Sequence, residues 1–240
     1  MHMQLSTIEF KVIGKVISPY KQKFSIPRQP SLAPSAKGRI ELYSPFNNPQ
    51  AVKGLKDFSH IWITFIFHKT MRDDWSPTVR PPRLGGNERV GVFATRSTFR
   101  PNPIGLSVVK LEDVIIEEGK STIIISDFDL LDETPIIDIK PYLPYVDAVS
   151  NAFGSYADQQ PEIHLAVKFS DRVETFLADN IENHPQLRSL LIEVLQQDPR
   201  PAYKKNKVDK KIYAVQLFDL DITWQVNELD VTVIDIAKLN

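Results

Sequence analysis

Six prolines fall between residues 19 and 50 (Pro19, Pro27, Pro30, Pro34, Pro45 and Pro49), a density that permits neither a helix nor a central strand. The span therefore reads as a long loop with one short strand near residues 38–43. Its embedded aromatics Tyr20, Phe24, Tyr43 and Phe46 favour an ordered loop. The same chemistry breaks residues 91–110, GVFATRSTFRPNPIGLSVVK, which begin and end as strands. Between those strands RSTFRPNP cannot carry a regular ladder, and Arg96 and Arg100 project from the break. Taken alone, this is either an ordinary Pro-rich crossover with solvated arginines or a loop that presents them to a ligand.

No helical periodicity occurs before residue 150. Alternation predicts a strand over residues 5–19, and IWITFIF (61–67) reads as a strand buried on both sides or lining a barrel. Residues 89–94, 105–118 and 121–130 follow as strands, the last two joined by a hairpin at Glu118-Gly119-Lys120. Many short strands with Pro-rich turns predict a mainly β fold, an N-terminal barrel or sandwich. Residues 150–161 read as a linker. Beyond it, residues 162–169 alternate cleanly, and Asp171 with Glu174 has the spacing of a capping box. Apolar positions then repeat at helical spacing through 173–181 and 187–195, and residues 212–226 and 229–236 read as two strands. The expected organisation is a β domain over 5–149, a linker over 150–161, and a small βααββ unit over 162–240.

Composition narrows the chemistry. The 240 residues include no cysteine, which excludes disulfides and thiolate sites and fits a reducing, cytoplasmic setting. The nine glycines form neither G-x-G-x-x-G nor a phosphate-loop pattern, so a Rossmann-type cofactor site is not expected. Five histidines without metal-ligand spacing predict no metal, and no apolar run predicts a membrane span. The net charge of −1 favours no polyanion, but local charge does. Residues 80–100 hold Arg80, Arg83, Arg89, Arg96 and Arg100 against Glu88 alone. Residues 198–211 hold Arg200, Lys204, Lys205, Lys207, Lys210 and Lys211 against Asp198 and Asp209. These are either solvated loops or a polyanion surface.

Six segments in order, PRQP (27–30), FSHIW (58–62), VRPPRLGG (79–86), ATRSTFRPNPIGLS (94–107), DLLDETPIIDIKPYLPYVD (129–147) and DPRPAY (198–203), resemble the TsaA-like family. The best-known bacterial members are S-adenosylmethionine-dependent tRNA methyltransferases acting on N6-threonylcarbamoyladenosine 37, beside the anticodon. The resemblance implies a non-Rossmann β-barrel methyltransferase with a small C-terminal α+β domain. It implies a cofactor site made of Arg28, Gln29, Pro30, His68, Lys69, Arg96, Leu106, Asp129, Leu130, Leu131 and Asp132. It further implies that Arg100, Arg200, Tyr203, Lys204 and Lys205 meet the anticodon loop of tRNA, and that the protein is a homodimer. Two positions depart from the family pattern: Thr98 replaces a common proline, and Glu133 replaces a usual glycine, which strains the chain if that position needs a positive φ.

Those residue types suit the ligand. A guanidinium at Arg96 matches the cofactor carboxylate as a bidentate fork, and the aspartates of DLLD can accept from ribose hydroxyls or the ammonium, unless they only cap a turn. The N6–H of a carbamoylated adenine is urea-like and needs no strong base; Asp138, Asp147 and Tyr142 are candidates that the sequence does not rank. Two other readings remain: a non-catalytic β-barrel RNA-binding module, and a methyltransferase on a different substrate.

Overall fold

The computed structural model describes residues 8–27, 29–72, 74–159, 165–200, 209–227 and 230–239. Within them the first unit contains β1 (Gly14–Ile17), β2 (Lys37–Leu42), β3 (His60–Ile66), β4 (Thr78–Val79), β5 (Val90–Gly91), β6 (Ile104–Glu117), β7 (Lys120–Ser126), β8 (Pro135–Pro141) and the single-turn helix α1 (Pro144–Asp147). Six of these strands close into a barrel in the order β1-β2-β7-β6-β3-β8. The seam is short, joining Gly14 to Ile136 and Lys15 to Pro135. Gly14 is required by the neighbouring β2, because a Cβ there would lie 2.5 Å from the carbonyl oxygen of Glu41. Gly105 is required for a different reason: a Cβ would sit 2.3 Å from the Phe65 ring inside the barrel.

The expected mainly β architecture and barrel are present. Two local expectations are corrected, and one strand is unexpected. Of the strand expected over 5–19, residues 5–7 lie outside the described residues and the rest is limited to β1; Ile8, Phe10 and Val12 alternate but are exposed, with no partner strand over them among the described residues. The strand expected over 89–94 is two residues followed by a 3-10 turn, Val92–Ala94. β8 lies in a segment to which the sequence assigns no element; Pro135 and Pro141 stand at its two ends, where a missing N–H is tolerated.

The C-terminal unit contains β9 (Ala166–Phe169), α2 (Asp171–Asp179), α3 (Leu187–Leu195), β10 (Asp209–Leu217), β11 (Leu220–Asn227) and β12 (Asp230–Lys238). Its sheet runs β10-β11-β12-β9, with β12 and β9 parallel. The βααββ order is therefore corrected to βααβββ. Residues 212–226 are not one strand: the chain reverses at Phe218 and Asp219, with Phe218 at φ 55°. The N-cap of α2 is Ser170, whose hydroxyl accepts from Val173 N, so Asp171 is the first helical residue and not the cap. The two units share one continuous apolar core. Phe218 N donates to Pro19 O at 2.8 Å, and Tyr20 bridges to Leu217, which fixes the β10–β11 turn against the barrel.

Candidate functional site

β3 and β6 pair in antiparallel register, His60 opposite Lys110, Trp62 opposite Val108 and Thr64 opposite Leu106. Strand alternation does the rest. Ile61, Ile63, Phe65, Val109 and Leu111 turn inward and are buried, so the even-numbered residues form an outer wall. β8 extends that wall, with Asp138 opposite Thr64 and Lys140 opposite Trp62. Over it lies a cleft of about 440 Å³, within the usual range for a small-molecule site. His60, Trp62, Leu106, Ser107, Val108 and Lys110 form its floor, and Pro30, Ser31, Arg96, Asp127 and Tyr142 form its sides.

The cleft places opposite charges near each other. Arg96 Nη1 donates to Gln29 Oε1 at 2.6 Å, which props the guanidinium at the mouth. Asp129 lies behind the floor, its Oδ1 accepting from Ser107 Oγ at 2.7 Å. Burial pushes the Asp129 carboxyl above its usual range, while Ser107 and the nearby Arg96 favour its charged form. Asp127 is held at φ 55°, and its buried Oδ1 has no hydrogen-bond partner among the described residues. One end of the cleft is aromatic: Tyr142 packs 6.3 Å from His60 and 6.0 Å from Trp62. Trp62 is oriented in turn by Asp147, whose Oδ2 accepts from the indole Nε1 at 2.9 Å and from Leu143 N at 2.8 Å.

The raised Asp129 carboxyl carries a linkage consequence. Its favourable contribution to folding is present below the unfolded value of about 3.9 and is lost as pH rises through the folded value. Asp129→Asn keeps an acceptor for Ser107 without the charge. Its thermal midpoint should exceed that of the wild type near neutral pH, and the gap should close on acidification. Melting curves across roughly pH 4–8 check this, and a gap that widens toward acid would refute the assignment.

Of the sequence-predicted cofactor residues, Gln29, Pro30, Arg96 and Leu106 meet at this cleft, and Asp129 stands behind it through Ser107. Arg28 lies outside the described residues. Leu131 is half-buried and its carbonyl accepts from Thr134 Oγ1 at 2.6 Å. The Leu130 side chain lies in the core, 1% exposed. Asp132 turns elsewhere: its Oδ1 accepts from Ser18 N at 2.8 Å, and its Oδ2 pairs with Lys21. The DLLD run is thus split between a site-side aspartate and a structural one. His68 and Lys69 follow the end of β3 opposite His60 and do not line the cleft. Burial and Lys69 depress the His68 pKa, and its Nε2 is buried without a partner among the described residues.

Of the candidate bases, Tyr142 lines the cleft, Asp138 is on the same wall in an ion pair with Lys140, and Asp147 is committed to Trp62. Of the candidate tRNA residues, Tyr203, Lys204 and Lys205 lie outside the described residues. Arg200 is corrected: it is 2% exposed, and its guanidinium pairs internally with Asp198 at 2.8 Å. Arg100 Nη1 donates to Thr95 O at 2.8 Å, so it pins its own loop while its guanidinium stands 5.9 Å over the Phe93 ring. Glu133 has φ 62°, the strained geometry expected where glycine is usual. Lys15 Nζ lies 2.8 Å from both of its carboxylate oxygens. Sequence reasoning missed His60, Trp62, Lys110 and Asp127 as cleft residues. The alternation that places His60 and Trp62 on the outer wall was hidden because Trp62 and Ile66 are themselves apolar.

A family model described as the tRNA-methyltransferase O N-terminal domain matches residues 15–148, and one described as the TrmO C-terminal domain matches 162–239. A tRNA (adenine(37)-N6)-methyltransferase of Escherichia coli (strain K12) is 50% identical over 224 residues, 93% of this chain and 95% of its own. A putative S-adenosylmethionine-dependent methyltransferase, RcsF, of Pseudomonas aeruginosa is 46% identical over 227 residues, 94% of this chain and 96% of its own. The crystal structure of TrmO from Pseudomonas aeruginosa superposes with a TM-score of 0.80 at 38% identity, covering 98% of this chain and all of that one.

Proposed function

This chain belongs to the tRNA-methyltransferase O family, and on that premise we propose that it methylates the N6 nitrogen of adenosine 37 in tRNA, taking the N6-threonylcarbamoyl form of that nucleoside as substrate and S-adenosylmethionine as donor. The observation that carries this reading is the placement of the Arg96 guanidinium and the Asp127 carboxylate in the lining of one aromatic-ended cleft, with Asp129 held behind its floor by Ser107. The donor is a zwitterion with a sulfonium and an adenine, and the donor set fits it. Arg96 would hold its carboxylate, the orphaned Asp127 Oδ1 its ammonium or a ribose hydroxyl, and Leu106 with the aromatic end its adenosine. S-adenosylmethionine supplies an electrophilic methyl group for in-line transfer.

The chain's own contribution is positioning. The Gln29–Arg96 contact, the Ser107–Asp129 contact and the Asp147–Trp62 contact each fix a cleft group in one rotamer before any ligand arrives. Orientation of that kind is worth about 7–11 kcal/mol in well-aligned two-reactant steps. Exclusion of water from the floor follows from Leu106, Val108 and Trp62. The acidic N6–H requires only a weak acceptor, and Tyr142 and Asp138 are the two candidates not engaged in orienting Trp62.

For the RNA, support comes from the barrel as well as from the basic segment 198–211. Trp75 and Phe93 are 52% and 74% exposed with ring centroids 6.4 Å apart, and Arg100 stands over Phe93. Exposed rings flanked by Arg80, Arg83 and Arg89 suit unstacked bases of an anticodon loop. Lys204→Ala with Lys205→Ala should raise the Michaelis constant for tRNA at fixed donor, and the effect should shrink with added salt; a constant that does not change across a salt series refutes their anchoring role. Exposed Tyr145 and Val146 of α1, with Val149 and Phe153 after it, support a homodimer. We place the protein in the cytoplasm, with its substrate. Among the described residues no helix is long and apolar enough to cross a membrane, and no group of three His, Cys, Asp or Glu side chains could hold a metal.

The test is mass spectrometry of nucleosides after incubation with S-adenosylmethionine and threonylcarbamoylated tRNA. A product heavier by one methyl on that nucleoside is expected. Binding of tRNA with no methylated product, and no heat of donor binding in calorimetry, would instead favour the RNA-binding module.

A further inference from the structure

Residues 29–36 have neither strand nor helix, yet both of their ends are held. At the first end Gln29 accepts from Arg96, and Pro30 and Ser31 wall the cleft, with Ser31 in the left-handed region at φ 68°. At the second end the partner is the C-terminal unit. Ser35 donates its N–H to Glu193 Oε2 at 2.9 Å and its hydroxyl to Glu193 Oε1 at 2.7 Å. Gln197 Nε2 donates to Leu32 O at 3.0 Å and also reaches the Glu193 carbonyl at 2.6 Å, so the two side chains act from one helical turn at the end of α3. Between these holds, Ala33 and Ala36 are buried, and Ala36 N donates to Ala33 O at 3.1 Å. Beneath the segment, Tyr20 is fully buried; burial, followed by the charges of Glu193, Asp129 and Asp127, raises its pKa and keeps the phenol neutral.

A segment of eight residues without a ladder of its own takes its shape from what grips it. Here two of the gripping hydrogen bonds go to a carboxylate, the stronger class. Helix α3 is in turn rigid, with Leu187, Leu190, Leu191, Val194 and Leu195 all in the core. We propose that Glu193 and Gln197 are positioning residues for the methyl-donor cleft: through Ser35 and Leu32 the C-terminal unit sets the conformation of residues 29–31 and thereby the affinity for the donor. This rests on the reading of the cleft as the S-adenosylmethionine site. It gives the C-terminal unit a role in donor binding in addition to any contact with tRNA.

The test uses the full chain and begins without cofactor. In Glu193→Ala, backbone amides of residues 29–36 should exchange with deuterium about tenfold faster, while amides of β6 and β7 are unchanged. Calorimetry with S-adenosylmethionine should give about tenfold weaker binding, the Michaelis constant for the donor should rise in step, and that for tRNA should stay within about twofold. Glu193→Gln should restore all of these, because its amide oxygen can accept from Ser35 N–H while its amide nitrogen donates to the Ser35 hydroxyl. Unchanged exchange in 29–36 overturns the proposal. So does a parallel loss of donor and tRNA affinity with faster exchange throughout α2 and α3, which would mark simple unfolding of the unit. A wild-type protein that binds no S-adenosylmethionine would refute the reading of the cleft, while the exchange comparison would still decide whether α3 sets the segment.

Discussion

Asp198→Ala is expected to lower the free energy of unfolding by about 3–5 kcal/mol, the range for breaking a buried ion pair by removing one partner. The side chains of Arg200 and Asp198 are 1% and 4% exposed, and both guanidinium Nε and Nη2 donate to the carboxylate at 2.8 Å. Removing the carboxylate takes two charge-assisted hydrogen bonds from a buried guanidinium that stays protonated. For a chain of this size the thermal midpoint should fall by roughly 6–20 °C. The companion measurement is the joint replacement Asp198→Leu with Arg200→Met, which removes both charges and should recover much of that loss. A single variant that melts like the wild type would show that the pair is not dry. Tyr203, Lys204 and Lys205 follow this pair directly in sequence, so Asp198→Ala should also weaken tRNA binding without any change in the basic residues themselves.

Arg96→Ala is the functional counterpart. A charge-assisted pair contributes about 1.5–3 kcal/mol, which predicts a loss of roughly 10–150-fold in affinity for S-adenosylmethionine by calorimetry. Affinity for tRNA should change by about twofold or less. Arg96→Lys should recover only part, because an ammonium cannot reproduce the fork that meets both Gln29 and a carboxylate. Equal loss of donor and tRNA affinity in Arg96→Ala would overturn the division between a cleft for the donor and outer surfaces for RNA.

How far the sequence carries depends on which physical rule dominates each segment. The turn of the β6–β7 hairpin is legible to within a residue, because Gly119 supplies the positive φ it requires and both strands alternate, although β7 ends at Ser126, four residues before the expected 130. β8 is not, since prolines usually mean no strand, and only their placement at Pro135 and Pro141 rescues it. The β10–β11 reversal is hidden for the opposite reason: Phe218 takes a left-handed conformation that no sequence rule assigns to phenylalanine. Within the site, Arg96 and Leu106 are legible through their motif, but DLLD looks like one unit where the fold uses its two aspartates on different sides. Arg200 illustrates the limit of counting charge. A basic residue two positions from an acidic one was read as surface potential, whereas tertiary packing turned the two toward each other and away from solvent.

The seam between β1 and β8 bears on how the chain is made. Because the barrel is closed by contacts between Gly14 and Ile136, its first strand must wait through about 120 further residues of synthesis before that edge is covered. At ribosomal speeds of about 5–20 residues per second the wait is roughly 6–24 s, during which one side of β1 offers unpaired backbone groups to any neighbour. The strand that waits is only four residues long and carries a lysine. Brevity and charge are what keep a nascent edge from templating aggregation, so the shortness of β1 suits a polypeptide whose barrel can close only late in translation.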